Sequence, residues 1–74
     1  MLEKIRDILL EYKDIPRDSI KPESSFFADI KMNSLDIMDM IGQVEEEYDI
    51  LISTDDLKDI TTVQDLMDYL EDVM

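Results

Sequence analysis

The sequence predicts an all-α fold: a small four-helix bundle of three longer helices and one short one, with a long first loop. Three observations support this. Apolar residues recur at intervals of three and four in three separate stretches, as they do on one-sided helices. The only strand-like run, Ile50-Leu51-Ile52, has no second strand to pair with and is read as loop. The chain of 74 residues contains no cysteine, so a single packed core rather than a disulfide framework must hold it together. Residues 1–74 are therefore read as one domain.

The first helix is carried by Leu2, Ile5, Ile8, Leu9 and Tyr12 and is expected to end by about Asp14. Ile15 precedes Pro16, and a residue before proline is driven out of the α region. Residues 15–32 hold both prolines and Ser24-Ser25, and read as a long connection pinned to the core by Ile20, Phe26, Phe27 and Ile30. A loop this long in so small a domain is usually functional. Asn33 is the expected N-cap of a second helix over roughly 34–48, with Asp36 in its first turn, where a negative charge suits the helix dipole. Its apolar positions are Leu35, Ile37, Met38, Ile41, Val44 and Tyr48, and Gly42 interrupts its middle. Thr54 is expected to cap a short helical turn over 55–60. Thr61 and Thr62 offer caps for the last helix, with Thr61 and Gln64 at capping-box spacing. Its stripe is Val63, Leu66, Met67, Leu70, Val73 and Met74. At such spacing Met38 and Met67 are expected in the core, although methionine also adapts well to variable apolar cargo.

Charge narrows the range of functions. Twenty acids against seven bases give a net charge of −13, and histidine is absent. Residues 1–22 carry five of each sign, so the whole excess falls on residues 23–74, where fifteen acids face only Lys31 and Lys58. Such a field solubilises, and it also steers toward basic partner surfaces. It repels phosphates, so no nucleic-acid partner is expected. No apolar run approaches the ~20 residues of a membrane span, and no signal-peptide pattern is present. The expectation is a soluble monomer in a reducing cytoplasm, handled by partners.

Intrinsic catalysis is not expected. No histidine is available to activate Ser19, Ser24, Ser25, Ser34 or Ser53, and no Gly-x-Ser-x-Gly elbow occurs. A calcium loop needs alternating ligands around a glycine, and the one glycine, Gly42, lies within a helical stretch. No metal site is expected. Ser34 stands out by position, at the first turn of the second helix, after the long loop and before an acidic face. A helix N-terminus stabilises phosphate, whereas the simpler alternative makes Asn33-Ser34 only a capping pair.

The run Phe26-Phe27-Ala28-Asp29-Ile30-Lys31-Met32-Asn33-Ser34-Leu35-Asp36 resembles the segment around the modified serine of acyl carrier proteins: an aromatic, Asp-Leu-Gly, one variable residue, then Asp-Ser-Leu-Asp. Val44-Glu45-Glu46-Glu47-Tyr48-Asp49-Ile50 is similar to the family's Leu-Glu-x-x-Phe-x-Ile, and Ile60-Thr61-Thr62-Val63-Gln64-Asp65 to its Ile-x-Thr-Val-x-Asp. With the helix order, the resemblance covers nearly the whole chain. It implies an acyl-carrier-like fold. It also implies a covalent 4′-phosphopantetheine arm on Ser34, flanked by Asn33 and Leu35 and added from coenzyme A by a phosphopantetheinyl transferase. The arm's thiol would hold acyl groups as thioesters in fatty-acid, polyketide or related acyl-transfer biosynthesis.

By the same resemblance Asp36, Asp39, Glu45 and Glu46 present acids to basic docking surfaces of acyl-handling enzymes, and Leu35 and Met38 present apolar contacts beside the arm. Ile52, Leu57 and Ile60 would line a cleft for a short acyl chain. Three positions depart from the pattern: Asn33 stands for Asp, Lys31 for Gly, and Gly42 for a larger apolar residue. The first two weaken acidity where the transferase docks, and the third flattens the contact surface, which suggests a specialised carrier. The chain starts and ends on helices, so a free-standing carrier is expected. The alternatives are an aminoacyl or peptidyl carrier, and an unmodified acidic protein-interaction module.

Overall fold

The computed structural model describes residues 1–74. Helix α1 spans Leu2–Leu9, α2 Ser34–Tyr48, α3 Thr54–Leu57 and α4 Val63–Val73, and a single 3₁₀ turn covers Arg17–Ser19. No helix is long and apolar enough to cross a membrane.

Helix α1 stops as a regular helix at Leu9, several residues before the expected end. The amides of Glu11 and Tyr12 donate to the carbonyls of Ile8 and Leu9, at 3.2 and 3.0 Å. These three-residue bonds tighten the chain and close the last turn before the pre-proline position is reached. The stripe still works: Ile5, Ile8 and Leu9 are buried, and Tyr12 packs against the core. The phenol of Tyr12 accepts a hydrogen bond from Gln43 Nε2 at 2.7 Å and ties the end of this segment to α2.

Helix α2 begins as predicted, with Asn33 Oδ1 accepting from the Asp36 amide at 2.8 Å. Its buried positions are Ile37, Met40, Ile41 and Val44. That is one stripe at i, i+3, i+4, i+7. At ~100° per residue, Leu35 lies nearly opposite Ile37, and Met38 a quarter-turn away. Both are exposed, at 77% and 54%, so the expectation that Met38 lies in the core is corrected and Met40 holds that place, while Leu35 stands on the surface. The helix ends at Asp49 in the left-handed region (φ 54°), and the Asp49 amide donates to the Glu45 carbonyl.

One cap sits one residue from its expected position, and the capping box of the last helix uses the second of the two threonines on offer. Ser53, not Thr54, caps the short helix, which ends at Leu57 rather than Ile60. Thr62 with Asp65, not Thr61 with Gln64, forms the capping box of α4: Thr62 Oγ1 accepts from the Asp65 amide at 3.1 Å and Asp65 Oδ2 from the Thr62 amide at 3.2 Å. Asp65 also accepts from the Thr61 amide and hydroxyl. A short carboxylate reaches all three donors, whereas an amide at 64 projects from the next face. Val63, Leu66, Met67 and Leu70 are buried as the stripe requires, but Val73 and Met74 extend past the core and are exposed.

Sixteen buried apolar residues form one cluster, drawn from α1, the long loop, α2, the segment before α4, and α4. The loop contributes Ile20, Phe26, Ile30 and Met32. Phe27, expected as a fourth anchor, is 55% exposed. Backbone bonds that the sequence does not reveal add to the anchoring: the Phe26 amide donates to the Thr61 carbonyl, Val63 to Ser24 and Gln64 to Pro22, at 3.0, 3.0 and 2.7 Å. The loop is thus stitched to the start of α4 around a single bridge between Ser25 and Thr62.

Candidate functional site

The stitched loop delivers the chain to Ser34. After Phe26 turns inward, the Met32 amide donates back to the Phe26 carbonyl at 2.8 Å, and Lys31 adopts the left-handed region (φ 63°) to let the chain reverse. That conformation costs a residue with a Cβ on the order of 1 kcal/mol, and glycine nothing comparable. Asn33 then caps α2 from extended backbone, which leaves Ser34 exposed as the first helical residue.

Ser34 opens onto an apolar cleft of about 250 Å³. Phe27 comes from the loop, Ile37 and Met38 from α2, Thr54, Leu57 and Lys58 from the α3 segment, and Ile60 and Thr61 from the strap before α4. Leu57 and Ile60 are there as expected. Ile52 is not among the lining residues, because it turns toward the core and packs against it half-buried. Phe27, Thr54, Lys58 and Thr61 are lining residues that sequence reasoning missed. Adjacent Phe26 and Phe27 in a turn could have signalled the first of these, since two neighbouring side chains rarely enter one core together. Lys58 is the one cation at the cleft, with its ammonium 3.5 Å from Asp55 on an exposed surface.

The acids named from the sequence fall into different environments. Asp39 and Glu46 are exposed and have no cation within ion-pair distance. Asp36 is half-buried and lies 3.8 Å from Lys13, too long for a strong pair. Glu45 faces inward in part: its Oε2 accepts from the Ile52 amide at 2.7 Å and so organises the turn after α2. Glu47 pairs with Lys4 at 2.8 Å, and that contact holds the Lys4 ammonium above its ordinary pKa. Leu35, Met38 and Phe27 form an exposed apolar surround to Ser34, and acids flank them along α2. No three His, Cys, Asp or Glu side chains converge to hold a metal ion.

This arrangement can tether a group at Ser34, shelter an apolar tail beside it, and offer an acidic face to a partner. Comparison with known proteins identifies the family. The family described as "Phosphopantetheine attachment site" matches residues 3–70. The acyl carrier protein of Bdellovibrio bacteriovorus is 40% identical over 68 residues, which cover 92% of this chain and 87% of that one. The acyl carrier protein of Syntrophus aciditrophicus is 38% identical over 69 residues (93% and 86%), and that of Chlorobium phaeobacteroides is 40% identical over 68 (92% and 87%). The chain belongs to the acyl carrier proteins of the phosphopantetheine-attachment family, non-catalytic carriers whose working group is a covalent 4′-phosphopantetheine.

Proposed function

We propose that Ser34 bears the 4′-phosphopantetheine arm. In this reading residues 1–74 act as one carrier domain, and the arm's thiol holds acyl intermediates as thioesters in fatty-acid, polyketide or related acyl-transfer biosynthesis. One observation carries it: of the five serines, Ser34 is the one that stands exposed at the start of a long helix and opens onto an apolar cleft. The arm supplies the thiol that a chain without cysteine lacks. Its phosphate leaves Ser34 where first-turn amides and the positive end of α2 favour an anion.

Partners in this reading are a phosphopantetheinyl transferase and acyl-handling enzymes with basic docking surfaces. Asp39 and Glu46 supply charge without first breaking an internal contact, Asp36 adds to it near Ser34, and Leu35 and Met38 supply apolar contact. Glu45 contributes less, because its carboxylate is already engaged by the Ile52 amide. Incubation with coenzyme A and a broad-specificity transferase is expected to add the mass of one arm, and Ser34→Ala to abolish the addition completely. An arm that still appears on Ser34→Ala would overturn the assignment.

A further inference from the structure

Helix α3 is the weakest-held wall of the cleft. It is one turn long, buries no residue, and lies apart from the close packing of α1 with α2 and α4. Leu57, half-buried against the core, is its one apolar attachment. Segments with few buried contacts open locally at much lower free energy than the domain unfolds. Two polar tethers hold the segment in place. At its start, Glu45 Oε2 accepts from the Ile52 amide at 2.7 Å. Across its back, the Tyr69 hydroxyl on α4 donates to Asp56 Oδ2 at 2.9 Å, spanning thirteen residues of sequence. Asp56 is thereby committed twice, because its amide also donates to the Ser53 cap at 3.1 Å. Tyr69 itself is half-buried against the core, so its ring is a fixed post and its hydroxyl a placed donor.

We propose that the Tyr69–Asp56 hydrogen bond is a latch that fixes α3 as one wall of the cleft and so sets which acyl lengths the cleft admits. With the latch closed, Thr54, Leu57 and Lys58 face Ile37 and Met38 across about 250 Å³, below the usual range for pockets that enclose small molecules. That space suits short and medium chains better than long ones. With the latch open, α3 swings on its Glu45 tether and the cleft lengthens, exposing more apolar wall to longer chains. Tyr69 and Asp56 are positioning residues here, since neither lines the cleft.

The inference rests on Ser34 as the attachment site, and its test separates the two. Holo protein is loaded with butyryl, octanoyl or dodecanoyl groups, and cleavage of each thioester by hydroxylamine is timed. In the wild type the butyryl and octanoyl thioesters are expected to be better protected than the dodecanoyl one. Tyr69→Phe and Asp56→Ala are expected to shift the dodecanoyl-to-butyryl rate ratio about 2–10-fold toward protection of the longer chain, the range that loss of one ordinary hydrogen bond allows. Asp56→Asn retains a carbonyl acceptor and is expected to keep the wild-type profile, and the double variant Tyr69→Phe/Asp56→Ala to be no worse than either single change. In unloaded protein, amide exchange over Thr54–Lys58 is expected to accelerate about 2–10-fold in Tyr69→Phe, with other helices unaffected. Identical chain-length profiles in wild type and Tyr69→Phe, or an Asp56→Asn profile like that of Asp56→Ala, would overturn the latch. A Ser34 that accepts no arm would overturn the attachment reading instead. The exchange measurement would then decide the latch alone, and unchanged α3 exchange would sink it.

Discussion

Residues 1–22 and residues 23–74 use charge and backbone in opposite ways. In the first region charges are neutralised by contact. Arg17 forks onto Glu3 at 2.7 and 3.0 Å and onto Asp7 at 2.6 Å, Arg6 reaches Glu3 at 2.6 Å, and Arg6 Nε also donates to the Ile20 carbonyl at 2.8 Å. The Glu3 carboxyl is held below its ordinary pKa by Arg17 first and Arg6 second. These contacts fasten the start of the long loop to α1. In the second region most acids go unpaired, and the backbone accepts costs: Lys31 and Asp49 at positive φ, and Gly42 inside a fifteen-residue helix. Five of the six ion pairs draw their cation from residues 1–22. The difference teaches that the first region is built for stability, while the region around Ser34 keeps charge and irregular backbone that stability alone would remove, as functional surfaces commonly do.

The largest effect that tests this contrast is ionic strength. Unpaired like charges destabilise a compact state and are screened within about 8–10 Å near physiological salt. The melting temperature is expected to rise from low salt to molar sodium chloride by more than any single substitution below changes it. A flat salt response would mean that repulsion on residues 23–74 does not limit stability.

Repairing Gly42 comes next. A Cβ built at this position meets nothing within 4 Å, so alanine enters open space in a helix interior. Gly42→Ala is expected to stabilise by about 0.5–1 kcal/mol, raising the melting temperature by about 2–8 °C in a domain this size. Thermal melts check the gain. A loss of stability would show that the glycine serves α2 packing rather than its outer surface.

The acids at the end of α2 sharpen the contrast further, because neighbours there differ in pairing. Glu46 is exposed without a cation near the negative end of the helix dipole, and Glu46→Gln is expected to stabilise by about 0.3–1 kcal/mol at low salt. Glu47 lies in the same turn but pairs with Lys4 of the first region. Glu47→Gln is therefore expected to gain less than Glu46→Gln, or to lose stability. Equal gains from both would show that the Lys4 contact contributes nothing in solution, as many exposed pairs do.

The smallest effect concerns Asp65, the acid of the second region that behaves like those of the first. The Thr61 amide, followed by the Thr61 hydroxyl and the Thr62 groups, holds its carboxyl below the ordinary carboxylate value, while slight burial works the other way. A depressed folded pKa contributes stability that is complete above the unfolded value near 3.8 and is lost as pH falls through the lower folded value. Acid titration of stability is expected to fall more steeply below pH ~4 in the wild type than in Asp65→Asn. Parallel acid limbs would show that the capping box does not require the charge.

Much of the site was legible in sequence because the deciding interactions are local. A capping asparagine, a first-turn aspartate and an apolar stripe each act within one or two turns, so Asn33 and the run of α2 follow from spacing, whereas position only singles out Ser34 and the family resemblance supplies its role. The absence of histidine and cysteine is legible in the same way, and it removes the commonest catalytic pairings from what the sequence leads one to expect. Spacing could not rank Leu35 and Met38 against Met40, because a helix with apolar residues on several sides has more than one possible inner face. Packing against α1 and the loop chose Ile37, Met40, Ile41 and Val44, and left Leu35 and Met38 beside Ser34. Tertiary contact likewise sent Phe26 inward and Phe27 to the cleft, placed Glu45 on the Ile52 amide, and brought Tyr69 to Asp56. The sequence by itself determined the helices, their caps to within a residue, the charge and the candidate serine. Only the tertiary structure decided which side chains form the cleft and what holds its wall, because those contacts join residues distant in sequence whose proximity no local pattern encodes.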